Sequence, residues 1–401
     1  MPDSRTIAEK PRLRLIFEQR RYLENASSTI NEVLHSVGSN GAVGVRYAAD
    51  QNEIVEQSLR MNHAVNWQPS CMLAMLQVRA SMLRAAREFF RERGYLEVET
   101  PCLSRDIVID AWLEPIEVQH SGESWFLQTS PEAAMKRLLA AGSGSIFQVS
   151  RVFRAAESGT RHNPEFTMIE WYGVETDWCQ QMELTEQLVR TCVAAAADIV
   201  SSNPATVWSP KSFAHTTYAQ AFERVFKIDV HAASGAELLA VAHDHHVPVP
   251  ESCTPDQRDD LLNAMLAFAV EPDLGRCKTA GKSAPEFLCD YPPSQAALAQ
   301  TSETNPKVAR RFELYIDGIE LCNGYQELTD VTELQRREVL QNVVRGDSAL
   351  KALPGAPAMA AAMKSGLPNC SGVALGFDRL VMIATGSRQI SEVLAFPADR
   401  A

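Results

Sequence analysis

The 401-residue chain has no apolar run near the roughly 18 residues that a membrane-crossing helix needs, and the simplest membrane reading goes with it. It lacks a recognisable leader: Met1-Pro2-Asp3-Ser4-Arg5 runs into mixed charge, so no secretory signal is expected. Its nine cysteines form no C-x-x-C pair and no even framework of short spacings. Free thiols in a reducing cytoplasm are the expectation. Positive charge is also short, with 38 Lys+Arg against 50 Asp+Glu and a net charge of -12. That balance does not exclude nucleic acid, but it removes the argument for a phosphate-coating surface. With 45% hydrophobic and 22% charged residues, the chain is neither disordered nor fibrous. Its length suits two ordinary domains, or one large α/β or α+β domain with room for a pocket.

Residues 1–65 differ from the rest. They hold eight basic and eight acidic residues, so the whole net charge falls on residues 66–401. Periodicity is weak in this first segment, and Gly38, Gly41 and Gly44 interrupt any long element. A poorly ordered extension or an upstream start is expected, with a small helix around Glu53–Arg60 as the alternative. From Met72 the pattern sharpens. Leu76, Met82, Leu83, Ala86, Phe89 and Phe90 recur at helical spacing, and Gly94 stops the helix. Tyr95 to Pro101 alternates and reads as a strand. Ser130-Pro131-Glu132 has the grammar of a helix start, with a capping hydroxyl, a first-turn proline and an acid. That helix runs through Met135 and Leu138.

Two alternating runs, Ile146 to Arg154 and Phe166 to Tyr172, predict a hairpin with a long polar loop. One face gathers Gln148, Ser150 and Arg154, and the other run adds Phe166, Met168, Glu170 and Tyr172. Burying such a face needs partners, which a lined pocket supplies and a purely structural polar network would also supply. Residues 179–270 read as helices with a connecting strand or two, and Glu286 to Tyr291 as a strand. His243-Asp244-His245-His246, with Cys253 nearby, has ligand chemistry, but it lies between a helical stretch and a Pro-rich turn. A solvated loop is expected there over a metal site. Asp317-Gly318 is a strong hairpin turn within Arg311 to Gly324. It brings Glu313 and Glu320 opposite or diagonal to one another, and two such carboxylates point to a shared Mg²⁺. Asn323 and Glu327 come next within one bend. Gly372 to Met382 sets small residues before an arginine at a helix start, which suits a phosphate or is merely a structural turn.

Three segments together carry a resemblance: Glu97-Val98-Glu99-Thr100-Pro101, then Phe153-Arg154 with Arg161-His162-Asn163-Pro164-Glu165-Phe166-Thr167, then Gly376-Phe377-Asp378-Arg379. They resemble the three signature motifs of class II aminoacyl-tRNA synthetases. Arg161 to Met168, continuing to Glu170 and Tyr172, and Gly318 to Leu328 look lysyl-type. The resemblance spans 66–401 and implies an α+β catalytic domain, an antiparallel sheet flanked by helices. The family's N-terminal OB anticodon-binding domain is not recognisable in the irregular first 65 residues. Trp67-Gln68-Pro69-Ser70, Glu99-Thr100-Pro101-Cys102 and Ser294 to Gln300 look like a truncated lysyl-type branch. That branch implies a cytoplasmic homodimer whose acceptor is a lysine ε-amine of elongation factor P, with no tRNA and no membrane.

The implied reaction activates (R)-β-lysine or lysine with ATP and Mg²⁺ to an adenylate, then transfers the acyl group to that amine. By resemblance, Arg154, Arg379 and Glu320 are catalytic. Arg154, Glu157, His162, Asn163, Phe166, Glu320, Leu321, Gly376 and Arg379 hold the nucleotide. Phe166 and Arg379 sandwich the adenine, and Glu313 and Glu320 hold Mg²⁺. Ser130, Pro131, Glu132, Glu170, Tyr172, Asn323, Glu327 and Ala374 bind the amino acid. Ala374 stands where lysyl enzymes have glycine, and its methyl is expected to favour a β-amino acid. Ala155-Ala156 replaces the family's Asn-Glu, so Glu157 or backbone carbonyls must read the adenine, or ATP binds more weakly. Two other readings stay open: a ligase acting on tRNA, and an idle relative that binds lysine-like ligands.

Overall fold

Burial of one helical stripe explains the first element. Helix α1 (Leu73–Glu92) buries Met75, Val78, Met82, Ala86, Phe89 and Phe90 along one face. These coordinates are a computed structural model, which describes residues 67–401 apart from 156, 198, 200–211 and 278–282. The expected N-terminal extension, its alternative helix and Ala156 lie outside the described residues.

Strands β1 (Leu96–Glu97) and β2 (Leu103–Ser104) come next, then β3 (Ile116–His120) and β4 (Glu123–Leu127). Helix α2 (Glu132–Ala140) leads into the hairpin β5 (Ile146–Phe153) and β6 (Glu165–Val174), and then α3 (Trp178–Ala197). After these lie β7 (Ala214–Thr217), α4 (Tyr218–Phe226), α5 (Gly235–Asp244) and α6 (Arg258–Met265). The chain continues through β8 (Glu286–Tyr291), β9 (Ala309–Ile316), β10 (Ile319–Gln326) and α7 (Val331–Asp347). It closes with α8 (Pro357–Gly366), β11 (Cys370–Gly376) and α9 (Phe377–Thr385).

The main sheet runs β1-β5-β6-β11-β10-β9-β8-β7. Only its two edge pairs, β1–β5 and β7–β8, are parallel. A separate three-stranded sheet runs β2-β4-β3. One face of the main sheet packs on α1, α3 and α9 in a core that includes Phe90, Phe147, Trp171, Phe312, Val373 and Phe377. Phe90 stacks on Phe147 at 4.6 Å between ring centroids and lies 5.2 Å from Trp171. A second core joins α4, α5 and α6 to the far end of the sheet through Tyr218, Phe222, Leu262 and Tyr315.

Three local departures from the sequence reading have physical causes. The expected strand from Tyr95 to Pro101 pairs only at Leu96 and Glu97. Beyond Val98, Thr100 turns its hydroxyl to Gln148 at 3.0 Å, and Pro101 has no N–H to offer. Helix α2 begins at Glu132, so Pro131 sits just ahead of the first turn rather than within it. The β9–β10 hairpin continues past Gly324 to Gln326, and Asn323 is therefore in a strand, not a bend. A glycine survives inside that strand because the Phe312 ring lies where its Cβ would be, 2.3 Å away. The turn itself is as expected, with Asp317 and Gly318 both left-handed at φ 53° and 71°. The His243–His246 run is exposed at the end of α5.

Candidate active site

Strand register builds the site. Gln148, Glu170, Ala374, Asn323 and Glu313 are consecutive partners across β5, β6, β11, β10 and β9. They form one row on the face opposite the aromatic core. The neighbouring row is Ile146, Tyr172, Gly372, Tyr325 and Arg311. A cleft of about 1950 Å³ opens over these rows.

The structure brings nearly all of the expected residues to that cleft. Arg154, Glu157, His162, Asn163, Phe166, Glu320, Leu321, Gly376 and Arg379 line it, as do Ser130, Glu132, Glu170, Tyr172, Asn323, Glu327 and Ala374. Pro131 and Glu313 are not among its lining residues.

At one end the Arg154 guanidinium lies over the Phe166 ring, 4.9 Å from its centroid, and pairs with Glu157 at 3.0 Å. Arg154 Nε is buried without a partner among the described residues. Burial raises the Glu157 carboxyl, but Arg154, His162 and Arg379 outweigh it and hold the pKa down at about 2. His162 contacts the Arg379 guanidinium through Nε2. Burial and that cation push the imidazole down to about 3, so the ring is neutral. Arg379 also donates to the Glu320 carbonyl at 2.8 Å and lies 3.7 Å from its carboxylate. Asn163 is occupied by backbone: its amide donates to Glu165 O at 2.6 Å and accepts from Ala398 N at 2.9 Å. It shapes the loop.

The far end is carboxylate-rich. Tyr172 donates to Glu170 Oε1 at 2.7 Å, while Glu170 Oε2 and Asn323 Oδ1 are buried without partners among the described residues. Burial and then Glu132 push the Glu170 carboxyl up to about 8. Burial also raises Glu327, and Lys136 pulls it partly back. Lys136 escaped the sequence reading. Its Nζ is 2.6 Å from Glu132 Oε1 and 2.6 Å from Glu327 Oε2, the second contact being poorly aligned for a hydrogen bond. The available signal was a lysine four residues after Glu132 on an otherwise apolar helix face.

Of the two carboxylates expected to hold Mg²⁺, Glu320 reaches the cleft. Glu313 is fully buried, bonded to Arg311 at 2.5 Å and to the Tyr315 hydroxyl at 2.6 Å. A bulge between Glu320 and Cys322 sets Glu320 opposite Tyr315 and Glu313 opposite Asn323, leaving the two acids diagonal. One carboxylate plus phosphate oxygens is an ordinary Mg²⁺ environment, so Glu320 fits that ion.

A shared face of motif residues, two guanidiniums with an aromatic ring at one end and acids at the other defines a class. The chain belongs to the class II tRNA synthetases (D, K and N), whose family model matches residues 56–400. Among curated relatives it is 41% identical over 348 residues to the elongation factor P–(R)-β-lysine ligase of Pectobacterium atrosepticum, covering 85% of this chain and 100% of the relative. It is 42% identical over 347 residues, with the same coverage, to the protein of that name from Salmonella arizonae.

Proposed function

We propose that this chain is an ATP-dependent, AMP-forming ligase that activates (R)-β-lysine and passes it to a lysine ε-amine of elongation factor P. The carrying observation is the polarity of the unpartnered atoms in one cleft. Arg154 Nε, a donor, is at one end, and the acceptors Glu170 Oε2 and Asn323 Oδ1 are at the other. A substrate with a carboxylate at one end, an ammonium at the other and a second amine between them answers both.

Arg154 holds the substrate carboxylate and the α-phosphate together, its planar fork positioned over Phe166 and by its pairing with Glu157. Arg379 covers the other side of the adenine. A carboxylate oxygen attacks the α-phosphorus, and the bond to pyrophosphate breaks. The acceptor amine then attacks the activated carbonyl, the bond to AMP breaks, and the amine loses a proton. Mg²⁺ at Glu320 would neutralise phosphate charge. Glu327 and Tyr172 take the side-chain ammonium, while Glu132, Glu170 and Asn323 order the second amine.

Residues 66–401 constitute the catalytic domain, working in the cytoplasm as a homodimer. Among the described residues no helix is long and apolar enough to cross a membrane. Leu73 on α1 and Leu96 on β1 are 70% and 56% exposed, apolar surface that pairing of two copies would cover. The test is ATP–pyrophosphate exchange with β-lysine, followed by mass spectrometry of elongation factor P after incubation with ATP and Mg²⁺. Exchange followed by a one-residue mass gain is expected. Absence of exchange, or transfer to tRNA alone, would overturn the proposal.

A further inference from the structure

Lys136 is a fully buried cation, 1% exposed, that does not line the cleft although both of its partners do. It stands behind the wall, one turn along α2 from Glu132, and reaches across to Glu327 just past β10. Lys136 bridges two carboxylates, supplied by different elements, and both face the substrate end.

Charge counting gives the bridge a purpose. Glu132, Glu170 and Glu327 carry three negative charges when ionised, and Lys136 removes one. The remainder matches two ammonium groups on a ligand whose carboxylate is taken by Arg154. Without Lys136 the same ligand would leave an uncompensated buried charge, which is strongly unfavourable. We infer that Lys136 is a positioning residue, the built-in counter-ion that aims Glu132 and Glu327 and sets the amino-acid site for a two-ammonium substrate. This rests on the proposed diamino acid substrate and adds a residue to its recognition.

The titratable groups facing this cluster are Glu132 on α2, Glu170 and Tyr172 on β6, Glu327, Cys370 on β11, and Tyr325 on β10 towards Glu132. Burial works against the Lys136 charge, but the two glutamates outweigh it and hold the ammonium above the ordinary lysine range. Lys136 is therefore a permanent cation at any working pH.

The experiment uses the full chain with Lys136→Met and Lys136→Arg. It compares KM for β-lysine, KM for ATP and the pH profile in pyrophosphate exchange, with thermal stabilisation by β-lysine, α-lysine and norleucine as a turnover-free readout. For Lys136→Met the expectation is a rise of roughly 30-fold in KM for β-lysine. KM for ATP should stay within about twofold, the acidic limb of the profile should move up, and Lys136→Arg should recover most of the loss. A methionine variant with unchanged KM for β-lysine, or one losing ATP and β-lysine affinity alike, would overturn the inference. If the wild type gives no exchange yet is stabilised by both lysines and not by norleucine, in a Lys136-dependent way, the catalytic reading fails and the inference stands. Absence of exchange together with absence of stabilisation by any probe would overturn both.

Discussion

Arg79 donates to Asp378 at 2.5 Å, although 299 residues separate them in the chain. The other oxygen of Asp378 accepts from Thr167 N at 2.7 Å. One buried carboxylate thus ties α1, the strand bearing Phe166 and the helix bearing Arg379. Replacing Asp378 with alanine removes the carboxylate from Arg79, which keeps weaker bonds to Val393 O at 3.2 Å and Thr167 Oγ1 at 3.3 Å, and should cost about 3 kcal/mol. ATP affinity should fall with it, because Arg379 is the next residue. Urea denaturation and KM for ATP are the measurements.

Gly372 lies where a side chain would strike the substrate-binding residues. A Cβ there would be 2.4 Å from the Tyr172 ring and 2.5 Å from Glu327 Oε1. Gly372→Ala should displace both and raise KM for β-lysine about tenfold or more, as the loss of one charge-assisted contact would. KM for ATP should hardly change. Steady-state exchange kinetics in both substrates separate these outcomes.

Ala374 sits between Glu170 and Asn323, opposite one on β6 and the other on β10. Its methyl therefore borders the groups assigned to the substrate's second amine. Ala374→Gly should shift the preference between β-lysine and α-lysine towards α-lysine, by roughly 1–3 kcal/mol. The ratio of the two kcat/KM values reads this directly, and an unchanged ratio would remove Ala374 from specificity.

The raised Glu170 carboxyl, at about 8, gives a signed pH dependence. Below that value it is protonated and cannot fully answer an ammonium, so β-lysine affinity should rise from pH 6.5 to 8.5, and binding near pH 7 should release protons. Titration calorimetry in buffers of different ionisation enthalpy measures the release. Without ligand the sign is opposite for stability. A pKa raised above the unfolded value favours the folded state at low pH, and this contribution is lost as pH rises through about 8. Glu170→Gln should flatten apo stability across pH 5 to 8.5.

Glu157 comes directly after the two alanines that replace the family's Asn-Glu, and its carboxylate reaches Arg154 at 3.0 Å. If it takes over part of the missing acid's work, Glu157→Ala should raise KM for ATP roughly tenfold, in line with removal of a hydrogen bond to a charged group. KM for β-lysine should be largely unaffected.

Local patterns were readable because they depend on neighbours in the chain. The apolar stripe of α1, the β5–β6 alternation and the Asp317-Gly318 turn arise from backbone periodicity and allowed dihedrals. Arg154, Phe166, Glu170, Tyr172, Glu327 and Arg379 were singled out by resemblance, each standing in a short run that matches a class II motif. The sequence by itself therefore determined the class of fold and pointed to the residues that line the cleft.

Tertiary structure decided what those residues do to one another. Only strand register places Ala374 between Glu170 and Asn323, and only a bulge sets Glu313 opposite Asn323 and away from the cleft lining. Lys136 reads in sequence as an ordinary helix lysine, and it becomes the counter-ion of two glutamates because α2 packs where the chain leaves β10. Register and burial are set by contacts between segments hundreds of residues apart. They change the electrostatics of a side chain without changing its local pattern.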